Sequence, residues 1–343
     1  MIISIIGYGA IGKHYLNILK HHKNKKIKKI LVFDDKNFRY KNNRLIEFIN
    51  IKNLKKYLNL INLSIIATPS HLHFKYAKIF LKKNIDVLVE KPAVLRTNHA
   101  EILSKLSSKK KARCWVSFQN RYNLAISKLK KDILKRKIGK ISLVDCTLFW
   151  YRDESYYKVD WRGNYKTDGG VLANQAIHLL DALIYIFGPI KNFDTIAGFN
   201  KSKLNAEDLI LLNFEHINGV FSSFKATTRA NKDYRVSMDI LGSKNRIIVK
   251  GISLNTYHYF KNKKFFTDKK NSEKFIVSGK ENAIGTGHKK ILNEFLNNKK
   301  SSRNLEIQKN IYLLKLIHSI YYSINLKKKS HSRVINFNSI WGR

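Results

Sequence analysis

The first 119 residues alternate between short apolar runs and stretches with the hydrophobic spacing of amphipathic helices. The runs are apolar at nearly every position, which is typical of strands that are covered on both faces. Strands separated by helices predict a parallel sheet with helical crossovers. The expected strands are Met1–Ile6, Ile30–Phe33, Leu63–Ala67, Ile85–Val89 and Cys114–Phe118, with helices at about 71–83 and 98–109.

The pattern changes after residue 120, where the expected strands are longer and alternate between apolar and polar positions. Such alternation predicts antiparallel strands with one covered face and one open face. The expected strands are Ile141–Trp150, Leu209–His216, Val220–Thr228, Arg235–Leu241 and Arg246–Lys250, with helices at about 124–137, 171–187, 288–296 and 306–324. We therefore predict two domains, an α/β domain over residues 1–119 and an α+β domain with a mostly antiparallel open sheet over residues 120–343.

Glycines mark the junction between the first strand and the first helix. Gly7, Gly9 and Gly12 have the spacing that binds dinucleotides: the first allows a tight turn, the second admits a pyrophosphate, and the third lets the helix pack on the strand. Ala10 and Ile11 complete the loop, at a helix N-terminus that faces the phosphates. The sequence thus predicts a Rossmann domain, and the alternative is a plain βαβ unit with a glycine-rich turn.

An acidic residue after the second strand indicates which dinucleotide binds. Asp34 lies 22 residues after Gly12, close to the spacing expected for the carboxylate that binds the ribose hydroxyls. A carboxylate repels a 2′-phosphate, so NAD is the expected cofactor. Lys36 and Arg39 leave NADP open as the less favoured alternative.

The chain of 343 residues has a formal net charge of +42. The lysines are scattered among Asn and Ile along the whole chain, which favours a compositional bias of the source over a dedicated basic tail. Nucleic acid, a membrane surface or an anionic substrate could also account for such a charge. No nucleic-acid motif is recognised and no apolar run is long enough to span a membrane, so we expect neither partner.

Two cysteines, Cys114 and Cys146, lie in strand-like runs and are expected to be buried thiols. They form neither a disulfide framework nor a metal-ligand cluster. The first apolar run is too short for a signal peptide and continues directly into the glycines. We therefore expect a cytoplasmic protein.

Two segments at strand ends are candidates for chemistry. Glu90-Lys91-Pro92 follows a strand at the sheet edge where α/β proteins bind ligands, so Lys91 can hydrogen-bond a substrate hydroxyl beside the cofactor. The alternative is a surface lysine before a turn proline. The segment 68–73 supplies Thr68, Pro69 and His73 to the nicotinamide side, or is merely a capped helix start. Its histidines lack partners at metal-ligand spacing, so we predict no metal site.

A third candidate lies on the expected helix 171–187. Asn174, His178 and Asp181 have the spacing of one helix face, with apolar neighbours that indicate partial burial. A histidine in this setting suits a general base. The alternative is a structural histidine that is hydrogen-bonded to Asp181.

Together these motifs make the chain resemble the Gfo/Idh/MocA family of NAD(P)-dependent sugar oxidoreductases over essentially its whole length. The resemblance implies that Lys91 and His178 are the catalytic pair and that Glu90 belongs to the cofactor site. Many members have aspartate where this chain has Asn174, and an amide cannot relay a proton. The Asn form is similar to members that act on nucleotide-linked sugars in surface-polysaccharide biosynthesis, such as UDP-N-acetylglucosaminuronate 3-dehydrogenases.

Two further segments, residues 118–123 and 150–163, agree with that subgroup. Their aromatic side chains can stack on a sugar or uracil, and their arginines can bind phosphate. The expected substrate contacts, taken with Asn174 and His178, are Gln119, Arg121, Tyr151, Arg152, Trp161, Arg162 and Asp181. The alternative for these segments is an ordinary core or interface cluster.

The predicted function is therefore hydride transfer between a sugar secondary alcohol and nicotinamide. His178 is expected to take the hydroxyl proton while Lys91 stabilises the oxygen. The alternative is that Lys91 is the base. Asp181 is expected to orient the imidazole of His178. A free polyol or inositol dehydrogenase, a nucleic-acid-binding protein and a sensor without turnover are the alternatives. A homodimer or homotetramer is expected.

Overall fold

The computed structural model describes residues 1–22, 24, 26–36, 42–199, 205–261, 272–276, 287–297 and 304–327. The N-terminal part is a six-stranded parallel sheet with the order β3-β2-β1-β4-β5-β6. Its strands are β1 Ile2–Ile6, β2 Lys29–Asp34, β3 Ile46–Asn50, β4 Leu63–Ile66, β5 Asp86–Val89 and β6 Cys114–Val116. The predicted parallel sheet is confirmed. Only β3 is an addition among these strands: it lies at the sheet edge, and its partly exposed residues lack the continuous apolar run of the others.

Helices connect these strands and cover the sheet. They are α1 Ala10–Lys20, α2 Leu54–Tyr57, α3 His73–Lys82 and α4 Thr97–Lys110. The chain runs from β1 to β2 and β3 on one side and then crosses to β4 on the other side of β1. This reversal opens a crevice at the carboxyl ends of β1 and β4, which is where open α/β sheets bind ligands.

The second sheet has eight strands in the order β14-β13-β12-β11-β7-β10-β9-β8. They are β7 Ile141–Phe149, β8 Ile190–Gly198, β9 Leu209–His216, β10 Phe221–Thr227, β11 Arg235–Gly242, β12 Asn245–Lys250, β13 Thr256–Lys261 and β14 Ser272–Ile276. All neighbours are antiparallel except β7 and β10, which confirms the mostly antiparallel sheet. No strand was expected at β8, β13 or β14, which lie toward the two edges of the sheet.

The remaining helices are α5 Leu124–Leu134, α6 Glu154–Tyr157, α7 Ile177–Phe187, α8 Gly287–Leu296 and α9 Ile307–Lys327. The expected helix 171–187 is wrong at its start, because residues 171–176 form turns and α7 begins at Ile177. Asn174 therefore precedes the helix and does not share a helical face with His178 and Asp181. The two terminal helices return to the first domain, where Arg113 donates to the carbonyl oxygen of Phe295 at 2.8 Å.

Both cysteines are buried and free of disulfides, and burial raises the pKa of the Cys114 thiol to about 12. In the part of the chain that the structure describes, no helix is both long enough and apolar enough to cross a bilayer.

Candidate active site

A cavity of about 880 Å³ lies where the carboxyl ends of β1, β2, β4 and β5 meet the turns of the second domain. This volume falls within the range of about 300–1,000 Å³ that is usual for small-molecule and cofactor sites. Its walls come from both domains, so a ligand in it would contact both.

The glycine-rich loop forms one end of the cavity. Gly7 has a φ of +94°, in the left-handed region that glycine tolerates best. A Cβ on Gly12 would lie 2.0 Å from the carbonyl oxygen of Gly7, because α1 starts directly against β1. Gly9 has open space where a Cβ would be, and it lines the cavity with Ala10 and Ile11. The loop therefore fits a pyrophosphate that approaches the N-terminus of α1.

Asp34 lines the cavity at the end of β2. Its carboxylate accepts hydrogen bonds from the backbone N–H groups of Tyr8 at 2.6 Å and Lys36 at 3.1 Å. Partial burial opposes the charge, but these hydrogen bonds prevail and lower the pKa of Asp34. The resulting anion is placed to accept hydroxyl hydrogens and to repel a 2′-phosphate, so the residues present fit NAD. Arg39, which left NADP open, lies outside the described residues.

The loops after β4 and β5 form the next part of the cavity, and they contribute Thr68, Pro69, His73, Glu90 and Lys91 to its lining. The two ring nitrogens of His73 each lie 2.8 Å from a carbonyl oxygen, one of Pro92 and one of Thr68. The ring therefore bridges the two loops and couples their positions. Burial lowers the pKa of His73, and the two carbonyl oxygens, which can only accept hydrogen bonds, oppose that shift.

The ammonium of Lys91 reaches across to the second domain, where Nζ donates to the carbonyl oxygen of Asn174 at 2.9 Å. Burial lowers the pKa of Lys91, and the carboxylates of Glu90 and Asp168 oppose that shift. The lysine therefore lies at the boundary of the domains, within range of the charges of two acidic groups.

His178 lies in the first turn of α7, close enough to Lys91 for their charges to interact. Burial, and then the charge of Lys91, lower the pKa of His178 well below 6.5. Its Nε2 lies 3.3 Å from the amide nitrogen of Gln119, and its buried Nδ1 has no hydrogen-bond partner among the described residues. His178 and Gln119 were both expected to contact substrate, and neither is in the cavity lining.

Arg121 and Asp181 form a buried ion pair, with N–O distances of 2.9 and 2.5 Å. Arg121 also donates to Asn310 on α9 at 2.7 Å. The expectation that Asp181 orients the His178 imidazole is therefore wrong, because its carboxylate is bonded to the guanidinium of Arg121. Both residues were expected to contact substrate, and neither lines the cavity.

The aromatic and basic wall opposite the glycine loop contains Trp161 and Arg162 as expected. The Arg162 guanidinium lies over the ring of Tyr156, 4.0 Å from its centroid. Arg152 covers Tyr156 as well, at 5.5 Å, and lies outside the cavity lining together with Tyr151, which is 45% exposed.

The family of this chain is settled by comparison with known proteins. Residues 1–118 match a family described as oxidoreductase family, NAD-binding Rossmann fold, and residues 126–248 match the GFO/IDH/MocA C-terminal domain. The chain belongs to the Gfo/Idh/MocA oxidoreductase family. The resemblance inferred from its motifs is thereby confirmed.

Two curated relatives show how distant the known members are. Glucose-6-phosphate 3-dehydrogenase of Bacillus subtilis (strain 168) is 26% identical over 208 residues, which are 59% of this chain and 57% of that protein. Inositol 2-dehydrogenase of Rhizobium meliloti (strain 1021) is 24% identical over 192 residues, which are 54% of this chain and 56% of that protein. The matches thus span little more than half the length of these relatives.

Among solved structures, the WlbA dehydrogenase from Bordetella pertussis, crystallised with NADH and UDP-GlcNAcA, superposes with a TM-score of 0.79. The match covers 95% of this chain and 96% of that chain at 22% identity. At this identity the likeness shows that the two proteins share a fold.

Two cavity residues, Tyr156 and Asp168, were not among the predicted site residues, and neither were the partners of Glu90, which lie outside the cavity lining. Buried Glu90 accepts a hydrogen bond from Tyr15 at 2.7 Å and lies 3.4 Å from Nε2 of His288. Burial opposes ionisation, but His288, Tyr15 and Ser117 lower the pKa of Glu90 to about 2. The only sequence signal was that Glu90 precedes Lys91, since its partners come from distant segments.

No group of three or more His, Cys, Asp or Glu side chains in the described ranges could hold a metal ion.

Proposed function

We propose that this chain is an NAD-dependent dehydrogenase that oxidises a secondary alcohol of a nucleotide-linked sugar, or catalyses the reverse reduction. The observation that carries the proposal is the position of Lys91. Its ammonium lies at the boundary between the wall that fits NAD and the turn that carries Asn174 and leads into α7 with His178. One bound sugar could therefore contact both domains.

The nicotinamide ring, when bound, supplies the hydride acceptor or donor. The ammonium of Lys91 hydrogen-bonds the reacting sugar oxygen and stabilises the negative charge that develops on it. His178 follows Asn174 in the chain and stays neutral near pH 7 because its pKa is lowered. We propose that an imidazole nitrogen receives the hydroxyl proton, although the ring does not line the cavity. Asn174, which lines the cavity beside Lys91, orients the sugar.

The substrate class follows from the wall opposite the glycine loop. Trp161 offers an aromatic face for a sugar or uracil, and Arg162, which lies over the ring of Tyr156, offers a guanidinium for phosphate. The WlbA enzyme with the same fold was crystallised with UDP-GlcNAcA. We propose that the reaction belongs to surface-polysaccharide biosynthesis.

A free sugar, polyol or sugar phosphate is the second candidate, which the names of the Bacillus and Rhizobium relatives support. The deciding experiment is NAD(H) turnover against UDP-sugars, their free sugars, sugar phosphates and inositols, with NADP(H) compared in parallel. A kcat/KM higher for a UDP-sugar than for its free sugar supports the proposal. Equal values would favour the second candidate, and no turnover with any alcohol would refute both.

We propose that the open face of the second sheet pairs with another copy of the chain to form a dimer or tetramer. Apolar side chains are exposed on this face, including Ile196 at 65% and the neighbouring Leu211 at 40%. Oligomeric mass in solution tests this, and an Ile196→Lys variant should shift it toward the monomer. We also propose a cytoplasmic location, where NAD and nucleotide sugars are available, and a domain boundary at residues 119 and 120.

A further inference from the structure

A second acidic group stands beside Lys91, and the catalytic scheme above does not use it. Asp168 is 2% exposed and lines the cavity. Its Oδ2 accepts a hydrogen bond from Nδ2 of Asn174 at 2.5 Å, and its Oδ1 lies 3.4 Å from the hydroxyl of Ser70. Removing a charged carboxylate from water is costly, so a buried one requires compensating hydrogen bonds or charges.

We infer that Asp168 is the positioning residue of this site, whose carboxylate fixes the amide of Asn174 and supplies the counter-charge for Lys91. This inference rests on the proposed function only in taking the recognised group to be a sugar hydroxyl.

The hydrogen bond to Asp168 decides which way the Asn174 amide is turned. A carboxylate can only accept, so the amide must present Nδ2 to it. Oδ1 then faces away from Asp168 and has no hydrogen-bond partner among the described residues. It is left as an acceptor for a substrate hydroxyl. Without the carboxylate, the amide could turn over and present a donor instead.

The same carboxylate acts on Lys91 through its charge. Burial lowers the pKa of Lys91, and Asp168 is one of the two anions that oppose this shift, Glu90 being the other. Burial raises the pKa of Asp168 in turn, against the hydrogen bond from Asn174 and the charge of Lys91. Asn174 carries no charge, so Asp168 gives this turn the carboxylate that an amide cannot provide.

Other charged and titratable groups face the same space. The groups that interact with Lys91 are Glu90, Asp168, His73 and His178, and those that interact with Asp168 are Lys91, Arg162 and Tyr156. A change at Asp168 must therefore be read at Lys91 itself rather than from activity alone.

The test is competitive labelling of Lys91 with acetic anhydride from pH 6 to pH 11 on the full chain, quantified by mass spectrometry. The rate follows the fraction of free amine. In Asp168→Asn we expect the midpoint for Lys91 to fall by about one pH unit, because an anion near the ammonium is removed. The exchange Asp168→Asn with Asn174→Asp returns a carboxylate to the turn and should restore the midpoint.

Glu207→Gln is the matched control, since Glu207 is buried behind Gly170 but does not line the cavity. It should leave the Lys91 midpoint unchanged. NADH binding measured by fluorescence confirms that each variant is folded. An unchanged midpoint in folded Asp168→Asn, or an exchange variant that matches Asp168→Asn, overturns the inference. The labelling needs no sugar, so its outcome is independent of whether the proposed substrate class is right.

Discussion

The two walls of the cavity are built in different ways. The wall that fits NAD is a continuous loop, Gly7–Gly12, whose shape follows from glycine geometry and from the strand and helix that flank it. The opposing wall, residues 156–176, consists mostly of turns, and its shape depends on distant side chains as well as on local backbone hydrogen bonds. Glu207 is the clearest example: its Oε1 accepts hydrogen bonds from the backbone N–H of Leu172 at 2.9 Å and from Tyr321 on α9 at 3.2 Å.

Because of this difference, we expect the first wall to control cofactor binding and the second wall to control recognition and reaction of the sugar. Backbone N–H groups suffice to bind a pyrophosphate, which is the same in every NAD molecule. A sugar must be recognised by side chains aimed at particular hydroxyls, and side chains in turns need support. Variants of the first wall should therefore change cofactor affinity, and variants of the second wall should change turnover or substrate preference.

The largest expected effect is at His178, which lies in the first turn of α7, directly after the second wall. His178→Ala should lower kcat by about 10³-fold, because a positioned general base contributes about 10²–10⁴-fold. Because the pKa of His178 is lowered, the imidazole of the wild type should become protonated, and kcat should fall, only below pH 6.5. The variant lacks the imidazole and should not show this fall in kcat at acidic pH. Steady-state kinetics from pH 4.5 to 9, with the NADH dissociation constant as control, measure both. A variant within fivefold of the wild type would assign the base to Lys91.

At the boundary of the two walls, Lys91→Met should lower kcat by about 10²–10³-fold, since the ammonium stabilises the developing alkoxide. The exposed Lys75, on α3, provides the control variant Lys75→Met, which removes the same charge outside the cavity and should behave as the wild type. Single-turnover rates at saturating NAD report the chemical step. Equal rates for both variants would remove Lys91 from the mechanism.

Glu207, which supports the second wall, should make the free energy of unfolding depend on pH. Burial raises the pKa of Glu207 to about 7, from 4.5, so the folded protein keeps a proton that the unfolded chain has lost. The free energy of unfolding should therefore fall as pH rises from about 4.5 to about 7, by at most about 3 kcal/mol. Urea titrations at pH 5 and pH 8 test this. The difference should shrink in Glu207→Gln, and an equal difference in both proteins would contradict the assignment.

Two alanine variants of the first wall should separate folding from cofactor binding. Gly12→Ala introduces a Cβ 2.0 Å from a backbone carbonyl oxygen and should destabilise the fold by about 1–3 kcal/mol. Gly9→Ala meets no protein atom within 4 Å, so stability should be retained while NADH binding weakens. Thermal unfolding and fluorescence titration provide the two measurements. Normal NADH affinity in Gly9→Ala would mean that the pyrophosphate does not approach this residue.

The smallest effect is expected at the arginines that cover Tyr156. Arg162→Gln should raise KM for a phosphate-bearing substrate by about tenfold and leave an uncharged polyol unaffected, because a charge-assisted hydrogen bond contributes about 1.5–3 kcal/mol at most. Arg152→Gln is the control, since Arg152 contacts the same ring from outside the cavity lining. An equal rise in KM for both variants would place the phosphate elsewhere.

The amino-acid sequence by itself determined the parallel sheet, the glycine loop, Asp34 and the placement of Lys91 at a strand end. Each of these depends on local hydrophobic patterning or on conformational limits of one short segment. Spacing along the chain was less reliable where regular structure stopped. Asn174 precedes α7 instead of lying on it, and Asp181 pairs with Arg121 instead of His178.

Only the tertiary structure decided which side chains share the cavity. Asp168 interacts by charge with Lys91, and Glu90 lies beside His288. The hydroxyl of Tyr321 on α9 accepts a hydrogen bond from the backbone N–H of Gly170. The residues of these pairs are roughly 77 to 198 positions apart along the chain. Hydrogen bonds and charge interactions of this kind depend on distances of a few ångströms that packing sets, and no local pattern encodes them. The cofactor wall could therefore be read from consecutive residues, whereas the substrate wall became visible only when the domains were assembled.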